Sequence, residues 1–298
     1  MLKDTITMTK EVRETGKIMG INVNSTPVNL LLTRVEELIS HSSKFYIVTP
    51  NPELVLMAQR DMNLKNALNA ADFAVPDAIG LSQAKKYLLL SLPGGKVFRF
   101  IIAFFQGLLV GAATFFDNKW LTREIKPIKG RVFFMNLIGL ADKNGWKVFL
   151  LGGLGQEASA ASQKLRIRYK KLKIEAESGP KLNKNGQPAT EVDKKIEKDV
   201  IERINKFNPD LLFVAFGNPK QEIWIHKNLS KLNIGGAMAV GGVFRYLAGT
   251  SKLPPETIAE NGLEWLWRLA TEPKRLGRIW NAVVVFPWKV FTYKLSKK

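Results

Sequence analysis

From residue 44 onward the chain alternates short β-rich apolar runs with segments of helical period, and this alternation restricts the fold more than any other feature. "FYIV" (45–48), "FAV" (73–75), "KVFLL" (147–151), "LKIEA" (172–176), "LLFVAF" (211–216) and "AMAVGG" (237–242) are strand-like. Between them lie segments such as "EVDKKIEKDVIERINKF", where Val192, Ile196, Val200, Ile204 and Phe207 recur at helical spacing. Parallel strands joined by crossover helices satisfy this pattern. The expected fold is therefore α/β, an open, mostly parallel Rossmann-like sheet flanked by helices, with ligands at the carboxyl ends of the strands.

Composition narrows the chemistry. The 46% hydrophobic content of 298 residues is ample for such a core. With 45 Lys and Arg against 26 Asp and Glu, the formal charge of +19 points to anionic partners: nucleic acid, phosphorylated substrates or an acidic lipid surface. The absence of cysteine excludes disulfides, thiol catalysis and Cys-based zinc sites. His41 and His226 do not form an HExxH pair and no Asp-x-Asp pair occurs, so metal-independent chemistry without a cofactor is expected. The start, "MLKDTITMTKEV", has charges and no apolar h-region, which places the expected activity on the cytoplasmic side.

Two segments break the rhythm. The first, about 87–130, contains "FIIAFFQGLLVGAATFF" (100–116), seventeen uncharged residues with basic residues on both sides. A spanning helix needs about 20 apolar residues. The segment can therefore lie in a membrane interface, cross the bilayer, or pack as a helical pair in a core or against a second subunit. The second is the stretch from 262, "GLEWLWRLATEPKRLGRIWNAVVVFPWKVFTYKLSKK", where tryptophans interleave with lysines and arginines. This suits an acidic lipid surface, because rings settle at headgroup depth while cations meet phosphates. Nucleic acid is the rival partner, and "AVVVF" is too continuously apolar for it. The expected division is a catalytic domain over 1–261, carrying an apolar insertion at about 87–130, and a membrane-associating appendage over 262–298. The turn-rich 179–190 loop reads as a connector.

Candidate sites sit at strand ends. In "FGNPKQEIWIHKN" (216–228), Asn218 can cap a helix, Pro219 fits its first position, and Gln221 and Glu222 would face the ligand crevice; an ordinary strand-to-helix turn with Glu222 serving the helix dipole is the plain alternative. "VTPNPE" (48–53) supplies Thr49 and Asn51 as donors to a ligand oxygen. "ADFAVPDAIG" (71–80) sets Asp77 where a carboxylate can act as a general base, or simply cap the helix that follows. In "KVFLLGGLGQEA", Gly153, Gly155 and Ala158 match G-x-G-x-x-A, with Glu175 on the next strand, so a dinucleotide site is a competing reading.

Taken together and in order, "VTPNPELV", "ADFAVPDAIG", "WKVFLLGG", "FGNPKQEIWIHKN", "AVGGVF" and "GLEWLWRLATEPKRLGR" resemble the WecG/TagA/CpsF family of bacterial glycosyltransferases, from about Gly20 to Arg278 apart from the insertion. The resemblance implies inverting, metal-independent transfer of an N-acetylmannosamine-type sugar from a UDP donor to a polyprenyl-diphosphate-linked sugar at the cytoplasmic membrane face. It implies that Asp77 is the base and that Thr49 and Asn51 line the acceptor and donor pocket. By the same likeness Gln221 contacts the donor, and Arg268 and Arg275 neutralise the departing diphosphate. Arg131, Gly152, Gly153, Asn218, Glu222, Gly242 and Arg245 complete the expected substrate-binding set. Three departures stand out. Ala78 replaces the glycine of the PDG motif, Phe134 and Asn136 replace a glycine and an acidic residue after Arg131, and Arg245 replaces an aspartate. If the PDG glycine has positive φ, Ala78 strains the turn; Arg245 could meet a donor phosphate instead. A noncatalytic relative that binds lipid-linked saccharide is the alternative to an enzyme.

Overall fold

A computed structural model of the chain describes residues 15–255, 258, 264–272 and 276–297. A small antiparallel pair, β1 (Thr15–Ile18) and β2 (Ile21–Asn24), precedes the main sheet. That sheet contains β3 (Phe45–Val48), β4 (Phe73–Ala74), β5 (Lys147–Gly152), β6 (Lys173–Glu177), β7 (Leu211–Ala215) and β8 (Gly236–Ala239). Its order is β4-β3-β8-β7-β5-β6 and every pairing is parallel. Each apolar run expected to be a strand is one.

The strands inside the sheet are continuously apolar because both faces are covered, whereas the edge strand β6 alternates and buries only Ile174. Side chains alternate between the two covers: Tyr46, Val48, Phe149, Leu151, Leu212 and Val214 enter one hydrophobic cluster, while Phe45, Ile47, Val148, Leu150, Leu211 and Phe213 enter the other. The Val28–Ser40, Gly130–Asn144 and Glu157–Arg168 helices cover the second face. In the Glu191–Phe207 helix the expected apolar stripe is only half used. Val200 and Ile204 are buried, whereas Val192 is exposed and the first turn is fastened by Thr190, whose hydroxyl accepts from the Asp193 N–H at 3.1 Å.

The segment that breaks the βα rhythm is a single helix, Lys96–Phe116. It is not a core element: Ala103, Val110 and Ala113 face the body, while Phe98, Phe105 and Phe116 stand in the open. The last helix, Phe286–Ser296, packs beside it and sends Phe286 and Val290 into the first hydrophobic cluster.

Candidate active site

In a parallel sheet all carboxyl ends share one edge. The segments following β4, β3, β8, β7 and β5 are therefore neighbours, in that order, along one rim. These are the segments that carry Asp77, Thr49–Asn51, Gly242, Gln221 and Gly152–Gly153. Asp77 and Gln221 follow strands three spacings apart, roughly 14 Å at ~4.8 Å per strand.

Asp77 is held through its backbone, whose N–H donates to Pro50 O at 2.8 Å, and its Oδ1 lies 3.4 Å from the N–H of Gly130. It does not cap the helix that follows it: the Ile79–Leu89 helix has Ala78 at its N-cap and no side-chain cap bond there. The carboxylate instead faces the amino end, and thus the positive pole, of the Gly130–Asn144 helix. Gly130 sits close against both side chains: an added Cβ would lie 3.4 Å from Thr49 Cγ2 and 3.6 Å from Asp77 Oδ2. Thr49, buried, completes this cluster. Asn51 caps the Pro52–Ala58 helix, its Oδ1 accepting from the Leu54 N–H at 2.9 Å with Pro52 in the first turn.

Ala78 does adopt the conformation suited to glycine, with φ 95° and ψ 143°. A side chain in this region costs on the order of 1–3 kcal/mol, more than the 0.5–1 kcal/mol or so that glycine's extra freedom costs in the unfolded chain. Ala78→Gly is accordingly expected to raise unfolding stability by about 1 kcal/mol in a denaturant titration. An unchanged or lower midpoint would show that the turn is not strained.

The "FGNPKQE" turn differs from its expected form. The helix runs Lys220–Asn228, Pro219 is its cap residue, the Asn218–Pro219 bond is cis, and Asn218 makes no backbone cap. Asn218 Oδ1 accepts from Gln221 Nε2 at 3.0 Å, and the same nitrogen donates to Glu222 Oε1 at 2.7 Å. Gln221 Oε1 accepts from the N–H groups of Gly217 and Gly241, both at 3.2 Å. Both hydrogens and both lone pairs of the amide are thus engaged. Gln221 does not open onto a crevice but ties the loop after β7 to the loop after β8. Glu222 is fully buried, and its Oε2 has no hydrogen-bond partner among the described residues. Burial pushes its carboxyl up to about 7, opposed by the Gln221 hydrogen bond. Trp224, also fully buried, donates from Nε1 to Glu197 at 2.6 Å and locks the helix in place.

After β5, Gly152 has φ 105°, and a Cβ there would fall 2.8 Å from the carbonyl carbon of Ala215, so only glycine lets β5 end beside β7. Gly153 donates its N–H to Ala215 O at 3.0 Å. Glu157 turns back over this loop, accepting from the Leu154 N–H at 2.9 Å and from Thr250 Oγ1 at 3.0 Å. Arg245 follows Gly242 and neutralises two acids, Glu157 at 3.7 Å and Glu272 at 3.6 Å. Its charge, reversed relative to the family motif, thus has carboxylate partners within the chain. Glu175, required by the dinucleotide reading, is paired with Arg203 at 3.1 Å. Phe134 fills the second hydrophobic cluster, its ring 4.6 Å from that of Phe213.

Three ion pairs were not visible in sequence, and all reach the stretch 264–278. Arg131 pairs with Glu264, Arg245 with Glu272, and Arg278 grips Glu53 with Nε at 2.7 Å from Oε1 and Nη2 at 2.7 Å from Oε2. They draw the basic segment along the rim that carries Asp77. Only the backbone of Arg268 is described, within the Glu264–Thr271 helix, and Arg275 lies outside the described residues.

The Staphylococcus aureus protein named N-acetylglucosaminyldiphosphoundecaprenol N-acetyl-beta-D-mannosaminyltransferase, in strains NCTC 8325 / PS 47, COL and MRSA252, is 26% identical to this chain over 283 residues, covering 94% of each chain. The model of the Glycosyl transferase WecG/TagA/CpsF family matches residues 16–106 and 108–298, so the likeness also takes in the apolar segment that the motifs alone skipped. With nearly all of its described rim inside that match, the chain belongs to the WecG/TagA/CpsF family of glycosyl transferases.

Proposed function

We propose that the chain is a peripheral membrane enzyme that transfers an N-acetylmannosamine-type sugar from a UDP donor to polyprenyl-diphosphate-linked N-acetylglucosamine on the cytoplasmic face. The acceptor and the sugar follow from what the staphylococcal relatives are named for. The observation that carries the reading is Asp77, a carboxylate fixed at the carboxyl rim beside Thr49 and the Gly130 helix terminus. In the proposed step the acceptor hydroxyl gives its proton to Asp77 as its oxygen bonds to the anomeric carbon from the face opposite the diphosphate. The bond from that carbon to the diphosphate oxygen breaks, the configuration inverts, and UDP leaves with the electron pair. Guanidinium groups bind such oxygens in pairs, a role assigned here to Arg268 and Arg275. Gln221 acts by holding the loops after β7 and β8 in register around the donor.

A second reading, a noncatalytic protein that binds the lipid-linked saccharide, draws on Arg245, which stands where the family motif has an acid and is engaged with Glu157 and Glu272. Incubation of the purified chain with UDP-N-acetylmannosamine and a short-chain, water-soluble lipid-diphosphate N-acetylglucosamine separates the two. Formation of a disaccharide-diphosphate lipid and UDP is expected. Unchanged acceptor with this and other UDP-sugars, combined with saturable acceptor binding, would establish the noncatalytic reading.

A further inference from the structure

The Lys96–Phe116 helix has 21 residues and is therefore about 31 Å long, enough to cross a bilayer core. Its attachments forbid that path. Underneath it runs the Ile79–Leu89 helix in the opposite direction: Gln83 Nε2 donates to Thr114 Oγ1 at 2.5 Å, and one turn later Tyr87 Oη donates to Ala103 O at 3.1 Å. Past Phe116 the chain re-enters the core at once. Leu121 and Ile125 are buried, Ser82 Oγ donates to Ile125 O at 2.7 Å, and Lys86 Nζ meets Glu124 at 2.9 Å. Both ends of the helix are thus fastened to one folded body, whereas a crossing would carry them to opposite sides of the membrane.

The Phe286–Ser296 helix is fixed alongside. Lys294, buried, donates to Tyr87 O at 2.6 Å and to Gln106 Oε1 at 2.5 Å, and the Phe100 and Phe291 rings meet edge-on at 5.5 Å. What the pair leaves in the open is apolar. Phe104, Phe105, Leu108 and Leu109 are each at least half exposed, as is Trp288 on the neighbouring helix, and Phe116 is 88% exposed. No acidic residue occurs between Lys96 and Phe116, and exposed Lys96, Lys119, Arg123 and Lys126 border its two ends. An apolar ridge edged with cations complements the boundary between acyl chains and anionic headgroups.

We infer that the Lys96–Phe116 helix and the outer face of the Phe286–Ser296 helix together form one in-plane anchor, which rests in the surface of an anionic bilayer without crossing it. The choice of a bilayer as partner rests on the lipid-linked acceptor proposed above. The orientation rests on the attachments alone.

The chain has no cysteine, so single thiols report position without background. Lys96→Cys and Asn118→Cys, each in the full chain bound to preformed vesicles of phosphatidylglycerol and phosphatidylcholine in equal parts, are expected to react with an impermeant maleimide added outside. Phe105→Cys is expected to be protected. Protection of either terminal thiol would mean a crossing helix and overturn the inference. The Phe105→Glu/Leu109→Glu variant, changed only at exposed positions, is expected to partition to these vesicles at least about tenfold less than the unmodified chain. Equal partitioning overturns the anchor. So does failure of the unmodified chain to bind vesicles, including the case where the two substitutions instead convert a dimer into a monomer and so assign the face to a second copy. Transfer to the water-soluble acceptor is expected to persist in this variant. Its absence from both the variant and the unmodified chain would remove the proposed activity and leave the anchor untouched.

Discussion

Asp77→Asn is expected to slow sugar transfer by about 10²- to 10⁴-fold, the range set by losing a positioned general base. The amide keeps the size of the carboxylate and can still accept from the Gly130 N–H, and the backbone bond to Pro50 O is unaffected. The fold and the affinity for the UDP donor should therefore persist. The change cannot preserve proton uptake from the acceptor hydroxyl. Single-turnover rates with the water-soluble acceptor, alongside donor binding by calorimetry, check both halves. Transfer at near-normal rate would take the base role away from Asp77, and loss of donor binding would assign it to binding instead.

The second large effect concerns stability. Glu222 is fully buried with its carboxyl raised to about 7 from 4.5. Between these two values the folded chain holds a proton that the unfolded chain has released. The contribution of this group to unfolding free energy therefore falls as pH rises through that window, by roughly 3 kcal/mol in all. Stability measured by denaturant titration is expected to decline from pH 5 to pH 8. In Glu222→Gln, whose side-chain oxygen can still accept from Gln221, this component should be missing, so the variant gains relative stability on the alkaline side. Parallel stability curves for the two proteins would show that Glu222 does not titrate there.

Most strands of the sheet were legible because burial on both faces makes them continuous apolar runs and the edge strand β6 because its residues alternate, while β1 and β2 are four-residue strands outside that rhythm. Asp77 was legible as a polar residue at a strand end, and the replaced glycine marked Ala78 as a position to check for the positive φ that the structure shows. What stayed hidden depends on distance along the chain. Arg278 and Glu53 are 225 residues apart, Arg131 and Glu264 are 133 apart, and no local pattern links them. The charge reversal at Arg245 was plain in the sequence, but its partners Glu157 and Glu272 come from different elements. Gln221 was read as facing a ligand because a helix's first turn at a strand end usually does so. The Gly217 and Gly241 N–H groups that occupy its oxygen come from two separate loops.

The three ion pairs that tie Glu264, Glu272 and Arg278 to the rim have a collective property that none has singly. Arg278 and Glu264, for example, retain partial contact with water, and pairs of this kind each contribute up to about 1 kcal/mol and weaken as electrolyte accumulates. Because one short stretch of chain carries all three, loosening any of them lowers the local concentration of the others' partners. The segment therefore behaves as a latch with several weak teeth, whose grip on the carboxyl edge of the sheet is graded by the ionic surroundings.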